Sequence, residues 1–211
     1  MSIFIFCGGD GLGKTTITKQ ISTLLDMPYV KYPYGSDNNA DAALYSGKVI
    51  REILNDKEHT CDPTAFQALQ FVNKLEAMPI ITQLEAKFGA VFIDRCWLSA
   101  KVYGGVDNVD DAWSDMLCRY CDSLMPPTLL FVFIGKPFKK DNDIYGEKQL
   151  KIAELYNTYC ESQCNNDTVV VIDVTDKSIM EVTLECLGHI TKAIITNKQP
   201  GSIFGGCEQC Q

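Results

Sequence analysis

The sequence predicts a three-layer α/β fold: one five-stranded parallel sheet with helices on both faces. Three observations carry that expectation. Short apolar runs recur along the chain, stretches of helical periodicity separate them, and the first run ends in a glycine-rich turn that opens straight into a helix. Runs that are apolar at nearly every position mark strands buried on both faces. Their alternation with helices makes them parallel, joined by right-handed crossovers.

Met1 to Cys7 reads as the first strand, and Thr15 to Leu25 as a helix with Ile17, Ile21, Leu24 and Leu25 on one face. Pro28 to Tyr32 is the second strand, closed by Pro33, with loop chemistry at Ser36 to Asn39 and a helix from Ala40 to Asn55. Asp62-Pro63 opens a long helix to Phe88, in which Pro79 is expected to make a kink. Gly89 ends it, and Ala90 to Asp94 forms the third strand. A short helix closing at Lys101 to Gly105 and another from Asp110 to Leu124 precede the fourth strand, Leu129 to Ile134. Glu147 to Cys164 is helical, Thr168 to Asp173 is the fifth strand, and a capping box at Ser178/Glu181 opens the last helix. No periodicity follows Asn197. Residues 1–196 are therefore expected to form a single domain with a short lid at about 135–146, and residues 197–211 a tail that is loose at least in part.

Composition sets bounds on function. Hydrophobic residues make up 46% and charged residues 22% of the 211, as in ordinary globular proteins. No run approaches the ~20 apolar residues of a membrane span, and the apolar N-terminal run lacks a basic lead, so a cytoplasmic location with no membrane partner is expected. A net charge of −8 argues against nucleic acid as the partner, since phosphate backbones demand clustered basic residues. Ten cysteines in a chain without an export signal read as free thiols, most of them in the core. Two C-x-x-C pairs, Cys118/Cys121 and Cys207/Cys210, have zinc-ligand spacing, but the first falls within a predicted helix and the second in a glycine-rich tail.

The glycine-rich turn carries the chemistry. Gly8, Gly9, Asp10, Gly11, Leu12, Gly13, Lys14, Thr15 and Thr16 fit the G-x-x-x-x-G-K-[ST] pattern of a phosphate-binding loop. Glycines let successive backbone N–H groups turn inward around a triphosphate, and the helix N-terminus adds partial positive charge. Lys14 would reach the β- and γ-phosphates, and the Thr15 hydroxyl would sit on Mg²⁺, so ATP and Mg²⁺ are the expected cofactors. Asp94, at the carboxyl edge of the sheet, is the second candidate for the metal.

The stretch Asp94-Arg95-Cys96-Trp97-Leu98-Ser99-Ala100-Lys101-Val102-Tyr103-Gly104, together with Phe6 to Thr16, resembles the thymidylate kinase family of nucleoside monophosphate kinases. Leu69 to Glu76, Tyr32-Pro33, Gly47-Lys48 and Pro126-Pro127 also fall in place, so the resemblance spans residues 1–190 or thereabouts. It implies a P-loop kinase fold and transfer of the ATP γ-phosphate to a deoxynucleoside monophosphate, dTMP first among them. It further implies that Arg95 holds the acceptor phosphate, that Asp10 meets the acceptor's sugar or phosphate region, and that Ser99 and Tyr103 belong to the same site. Arg51 is a further candidate for the acceptor phosphate, and Phe66, Phe71 or Tyr103 for stacking on the base. Lys136, Lys139 and Lys140 would act as a basic lid over the triphosphate, where many relatives use arginine. Many relatives are homodimers.

The chain departs from the family pattern at three places that concern the acceptor base. Gln70 stands where relatives commonly stack an aromatic ring, Lys74 replaces a base-contacting arginine, and Gly104 stands where many have glutamine. A pyrimidine deoxynucleotide is the expected acceptor, with the base left open. Two other readings remain at this point. A deoxynucleoside kinase would want a carboxylate base just after the second strand, where Tyr32-Pro33-Tyr34-Gly35 has none. A nucleotide-binding regulatory module would not need the Asp94-Arg95 pair or a basic lid.

Overall fold

Five apolar runs form the strands β1 (Ser2–Gly8), β2 (Tyr29–Lys31), β3 (Ala90–Asp94), β4 (Leu129–Ile134) and β5 (Val169–Asp173). The computed structural model describes residues 2–35, 44–56, 61–138 and 146–204. Within them the strands make one sheet in the order β2-β3-β1-β4-β5, with every neighbouring pair parallel. Seven α-helices surround it among the described residues: α1 (Lys14–Leu25), α2 (Tyr45–Asn55), α3 (Pro63–Phe88), α4 (Trp97–Val106), α5 (Asp111–Leu124), α6 (Gln149–Ser162) and α7 (Ile179–Ile195).

The central strands are apolar throughout because each feeds two cores. Ile3, Ile5 and Cys7 of β1, Val91 and Ile93 of β3, and Leu130 and Val132 of β4 pack with residues of α2 to α6. Phe4 and Phe6, Phe92, Phe131 and Phe133 face the other way, against Ile17 and Ile21 of α1 and Val182, Cys186 and Ile190 of α7. Phenylalanine rings stack across neighbouring strands there, Phe6 on Phe131 at 4.8 Å and Phe4 on Phe92 at 5.4 Å between centroids. Each such side chain taken out of water stabilises the fold by about 1.5–3 kcal/mol. The three-layer arrangement expected from the sequence is the one found.

Boundaries differ in detail. Helix α3 runs through Pro79 as a single element. The segment expected to be helical from Glu147 to Cys164 opens as a 3₁₀ turn at Gly146–Lys148 and ends at Ser162. Residues 40–43 at the expected start of the second helix, the greater part of the lid, and Cys207 and Cys210 lie outside the described residues. No helix among the described residues is long and apolar enough to cross a membrane.

The tail is less loose than its lack of periodicity suggests. Gly201 N–H donates to the Pro127 carbonyl at 3.0 Å. Ser202 Oγ and Ile203 N–H both donate to Asp122 Oδ2, at 2.6 and 3.2 Å. Arg119 and Tyr159 donate to the Phe204 and Ile203 carbonyls, and the Ile203 and Phe204 side chains are buried in the larger core. Burial pushes the Asp122 carboxyl above its ordinary value, and the bonds from Ser202 and Ile203 only partly offset that. A carboxyl raised in this way favours the folded state when protonated, and the benefit is lost as pH rises through its folded value. Asp122→Asn is therefore expected to match the wild type in acid and to exceed it in stability near pH 7. Asp122→Ala is expected to lose about 1–3 kcal/mol at both. Urea melts at pH 4.5 and 7.5 check both variants.

Candidate active site

The sheet order places the carboxyl ends of β1 and β3 side by side, with Phe6 opposite Asp94 in the register. Ligands bind at this edge in sheets of this kind. Gly8 closes β1 at φ 135°, and a Cβ there would lie 2.3 Å from the Phe133 carbonyl oxygen, so the turn requires glycine. Gly13, at φ 77°, is the N-cap of α1 and offers no side chain to the first-turn N–H groups, which are left for an anion. Gly9 and Leu12 are buried and Gly11 half-buried; the Gly11 carbonyl accepts from Phe138 N–H at 2.9 Å, which seats the segment after β4 on the loop. Thr16 faces solvent.

Lys14 is buried, and its Nζ donates to the Gly9 carbonyl across the loop. Burial, and then the charge of Arg95, lower its pKa to about 8 against the opposing pull of Asp10 and Asp94. An ammonium held where its charge is costly is a site that gains from an incoming polyphosphate.

Asp94 is fully buried at the end of β3. Its Oδ2 accepts from Thr15 Oγ1 at 2.5 Å and from Tyr29 Oη at 3.2 Å, while its buried Oδ1 has no hydrogen-bond partner among the described residues. A carboxylate with one uncommitted oxygen beside a threonine hydroxyl is a fitting donor set for a hard divalent cation.

Arg95 follows in the left-handed region, at φ 73°, with its N–H on the Phe6 carbonyl at 2.8 Å. Side chains hold it there. Its Nη2 pairs with Asp10 Oδ1, its Nη1 donates to Tyr103 Oη at 3.1 Å, and the Tyr103 hydroxyl donates to Asp10 Oδ2, closing a triangle. The guanidinium also lies over the Tyr103 ring at 5.3 Å. Burial would raise the Asp10 carboxyl, but the charges of Arg95 and Lys14, with the hydrogen bonds from Tyr103 and Arg95, hold it well below the ordinary carboxylate range. Asp10 thus remains an anion that orients Arg95, and is a poor proton acceptor. Strain of this kind gathers at functional sites.

The remaining candidates divide. Ser99 is buried behind the triangle, where its hydroxyl accepts from Tyr156 Oη at 3.1 Å. Phe66 and Phe71 are buried in the larger core, Phe71 edge-on to Trp113. Arg51 and Gln70 are half-buried on α2 and α3, and Lys136 is exposed after β4. Lys139 and Lys140 lie outside the described residues. Gly104 has a local reason: a Cβ there would approach Gln67 Cγ to 3.1 Å, so a larger residue would need the Gln67 side chain to give by a few tenths of an ångström. Cys118 and Cys121 are buried on α5, with the Cys118 thiol on the Trp97 carbonyl at 3.4 Å.

Lys74 is fully enclosed. Its Nζ donates to the Gln70 carbonyl at 3.1 Å and lies over the Tyr32 ring at 5.2 Å and the Phe71 ring at 6.0 Å. Burial lowers its pKa to about 8. A lysine whose pKa falls on folding opposes folding while charged, and the opposition fades as pH rises through 8 toward the free value. Lys74→Met is therefore expected to stabilise the fold by about 1 kcal/mol or more below pH 8, with the gain shrinking toward pH 10. Thermal melts at pH 6.5 and 9.5 check the sign.

Two residues of the site escaped the sequence reading. Tyr29 sits in a short strand among other aromatics, and nothing in its spacing points to Asp94. Gln149, at the start of α6, meets both the Asp10 backbone N–H and Oδ2 at 3.4 Å.

No family model matches the chain, and no curated protein matches it. Solved structures do. It superposes on the thymidylate kinase of Candida albicans with a TM-score of 0.72 and 21% identity, over 93% of this chain and 92% of that one. That structure is described as revealing the origin of a broad substrate specificity and a novel structural element. The thymidylate kinase of Ehrlichia chaffeensis gives 0.68 and 20%, over 90% of this chain and 98% of that one. At these identities the likeness shows a shared fold.

Proposed function

We propose that this chain is a Mg-ATP-dependent nucleoside monophosphate kinase of the thymidylate kinase type, which moves the γ-phosphate onto a deoxynucleoside monophosphate, dTMP first. The observation that carries the reading is Arg95, clamped by Asp10 and Tyr103 at the rim of the phosphate loop. A fixed guanidinium beside a triphosphate cradle is suited to a second phosphate, because its fork matches phosphate oxygens and needs no reorganisation on binding. The shared fold with two thymidylate kinases supports the same conclusion.

Phosphoryl transfer asks for alignment and charge neutralisation more than covalent help. The loop N–H groups and Lys14 would hold the donor phosphates, and Arg95 the acceptor phosphate, with Asp10 and Tyr103 fixing its orientation. Thr15 and Asp94 would hold Mg²⁺, which when bound neutralises charge on the donor phosphates. Lys136, with Lys139 and Lys140, would close over the nucleotide as point charges. A monophosphate acceptor is already an anion and needs no general base. Asp10 is held too acidic to serve as one, and Tyr32 to Gly35 supply no other carboxylate. The free thiols of the eight described cysteines suit a reducing, cytoplasmic setting.

A coupled assay of ADP formation against a panel of monophosphates and nucleosides tests the proposal. ADP formation that depends on an added deoxynucleoside monophosphate is expected. Turnover with thymidine but not dTMP would transfer the chain to the deoxynucleoside kinases, and turnover indifferent to any acceptor would make it a nucleotide-binding module.

A further inference from the structure

We infer that Tyr29 is a positioning residue for the metal ion that accompanies the nucleotide: its phenol fixes one oxygen of Asp94 and so keeps the other free for the ion. The inference rests on the proposed Mg-ATP site and assigns a residue from outside the phosphate loop and the Asp94-Arg95 stretch.

Tyr29 of β2 is level with Phe92 of β3, two residues short of Asp94. The long tyrosine side chain covers that distance, and its hydroxyl reaches Asp94 Oδ2 at 3.2 Å. Thr15 Oγ1 donates to the same oxygen at 2.5 Å, while Oδ1 stays buried without a hydrogen-bond partner among the described residues. Two donors converging on one oxygen resist rotation of the carboxylate, since turning it would cost both bonds in a site where water cannot replace them.

The two donors differ in kind. Thr15 belongs to the loop that meets the nucleotide, and its hydroxyl is itself a candidate for the metal. Tyr29 lies in the sheet, on β2, and takes no part in the phosphate cradle. Its grip on Asp94 is therefore independent of whether nucleotide is bound. A neutral phenol is also suited to the task, because a lysine in its place would cancel the negative charge that attracts the cation. The ring is steadied from outside by Lys19 of α1, whose ammonium lies 5.5 Å from its centroid. Hydrogen bonds of this kind, made to the ligand and not to the metal, commonly change metal affinity by about 10–100-fold when removed.

Tyr29→Phe removes the hydroxyl and keeps the ring against Lys19. Mn²⁺ serves as the probe: its binding to the full-length chain with a non-hydrolysable imido analogue of ATP is followed by loss of the free-ion electron paramagnetic resonance signal. The variant is expected to bind Mn²⁺ about 10-fold more weakly or worse. Its affinity for the analogue without metal should be unchanged, a split that a merely structural tyrosine would not produce. Tyr29→Leu also lacks the hydroxyl, so it repeats the test if the phenylalanine variant does not fold. Mn²⁺ affinity equal to wild type in either folded variant overturns the inference and leaves the proposed function standing. A wild-type chain that holds no Mn²⁺ with the analogue overturns the proposed function, and this inference with it.

Discussion

Arg95→Lys will lower kcat/KM for the monophosphate about 10³-fold while leaving the chain folded. Charge alone does not explain the arrangement, since lysine keeps the charge. What lysine lacks is the planar fork that lets Nη1 reach Tyr103 at 3.1 Å while Nη2 meets Asp10. A single ammonium can keep one of those partners while the acceptor phosphate competes for it. The loss should appear mainly in kcat if Arg95 tightens its hold as charge develops, and mainly in KM if it only captures the acceptor. Removing the cation altogether has a second consequence. Asp10 is buried, and without Arg95 its carboxylate would keep Lys14 nearby but lose its ion pair. Arg95→Met is therefore expected to cost about 3 kcal/mol of stability. The double variant Asp10→Asn/Arg95→Met should recover most of that stability and none of the activity. Urea melts and steady-state rates on the four members of this cycle separate the two roles.

Lys14→Met will reduce kcat by about 10³-fold or more and will not destabilise the protein. These expectations have one cause. Lys14 is buried with its Nζ turned onto the Gly9 carbonyl, and burial depresses its pKa to about 8. In the absence of nucleotide the buried charge opposes folding at neutral pH, an opposition that weakens as pH rises through 8. Methionine has similar length and no charge, so the variant should melt at the same temperature or higher, most visibly below pH 8. Binding of a triphosphate reverses the balance, because only the wild type has an ammonium to place against it. Wild-type Tm should therefore rise steeply with ATP, while the Tm of the variant should rise much less. A melt series in ATP measures both effects in one experiment.

The strands were legible because parallel strands buried on both sides leave continuous apolar runs, as in Leu129 to Ile134. The phosphate loop was legible because its residues are consecutive. The triangle was only half legible. Asp10 and Arg95 are 85 residues apart and Asp10 and Tyr103 are 93 apart, and they meet because β3 lies against β1. No local pattern records that adjacency; the resemblance to a known family put the three at one site but did not bring them into contact. Tyr29 escaped for the same reason, since a tyrosine in a strand reads as packing until the neighbouring strand is in place. Phe66 and Phe71, expected as stacking residues, show the converse: an aromatic residue on a helix gives no sign of what it packs against, and both lie in the larger core. Ile203 and Phe204 carry no periodic signal, and their burial goes with bonds to distant helices: Ser202 donates to Asp122, and the Phe204 and Ile203 carbonyls accept from Arg119 and Tyr159.

A nucleotide held by the loop at Gly8 to Thr16 is expected to donate its terminal phosphoryl group to a phosphate held by Arg95, and phosphorus NMR of a reaction with ATP and dTMP checks this. The dTMP resonance should be replaced by the coupled α and β signals of dTDP as ADP accumulates, and Arg95→Lys should slow this conversion about 10³-fold. An unchanged dTMP signal in the presence of ATP and Mg²⁺, with thymidine converted to dTMP in a parallel tube, would contradict it.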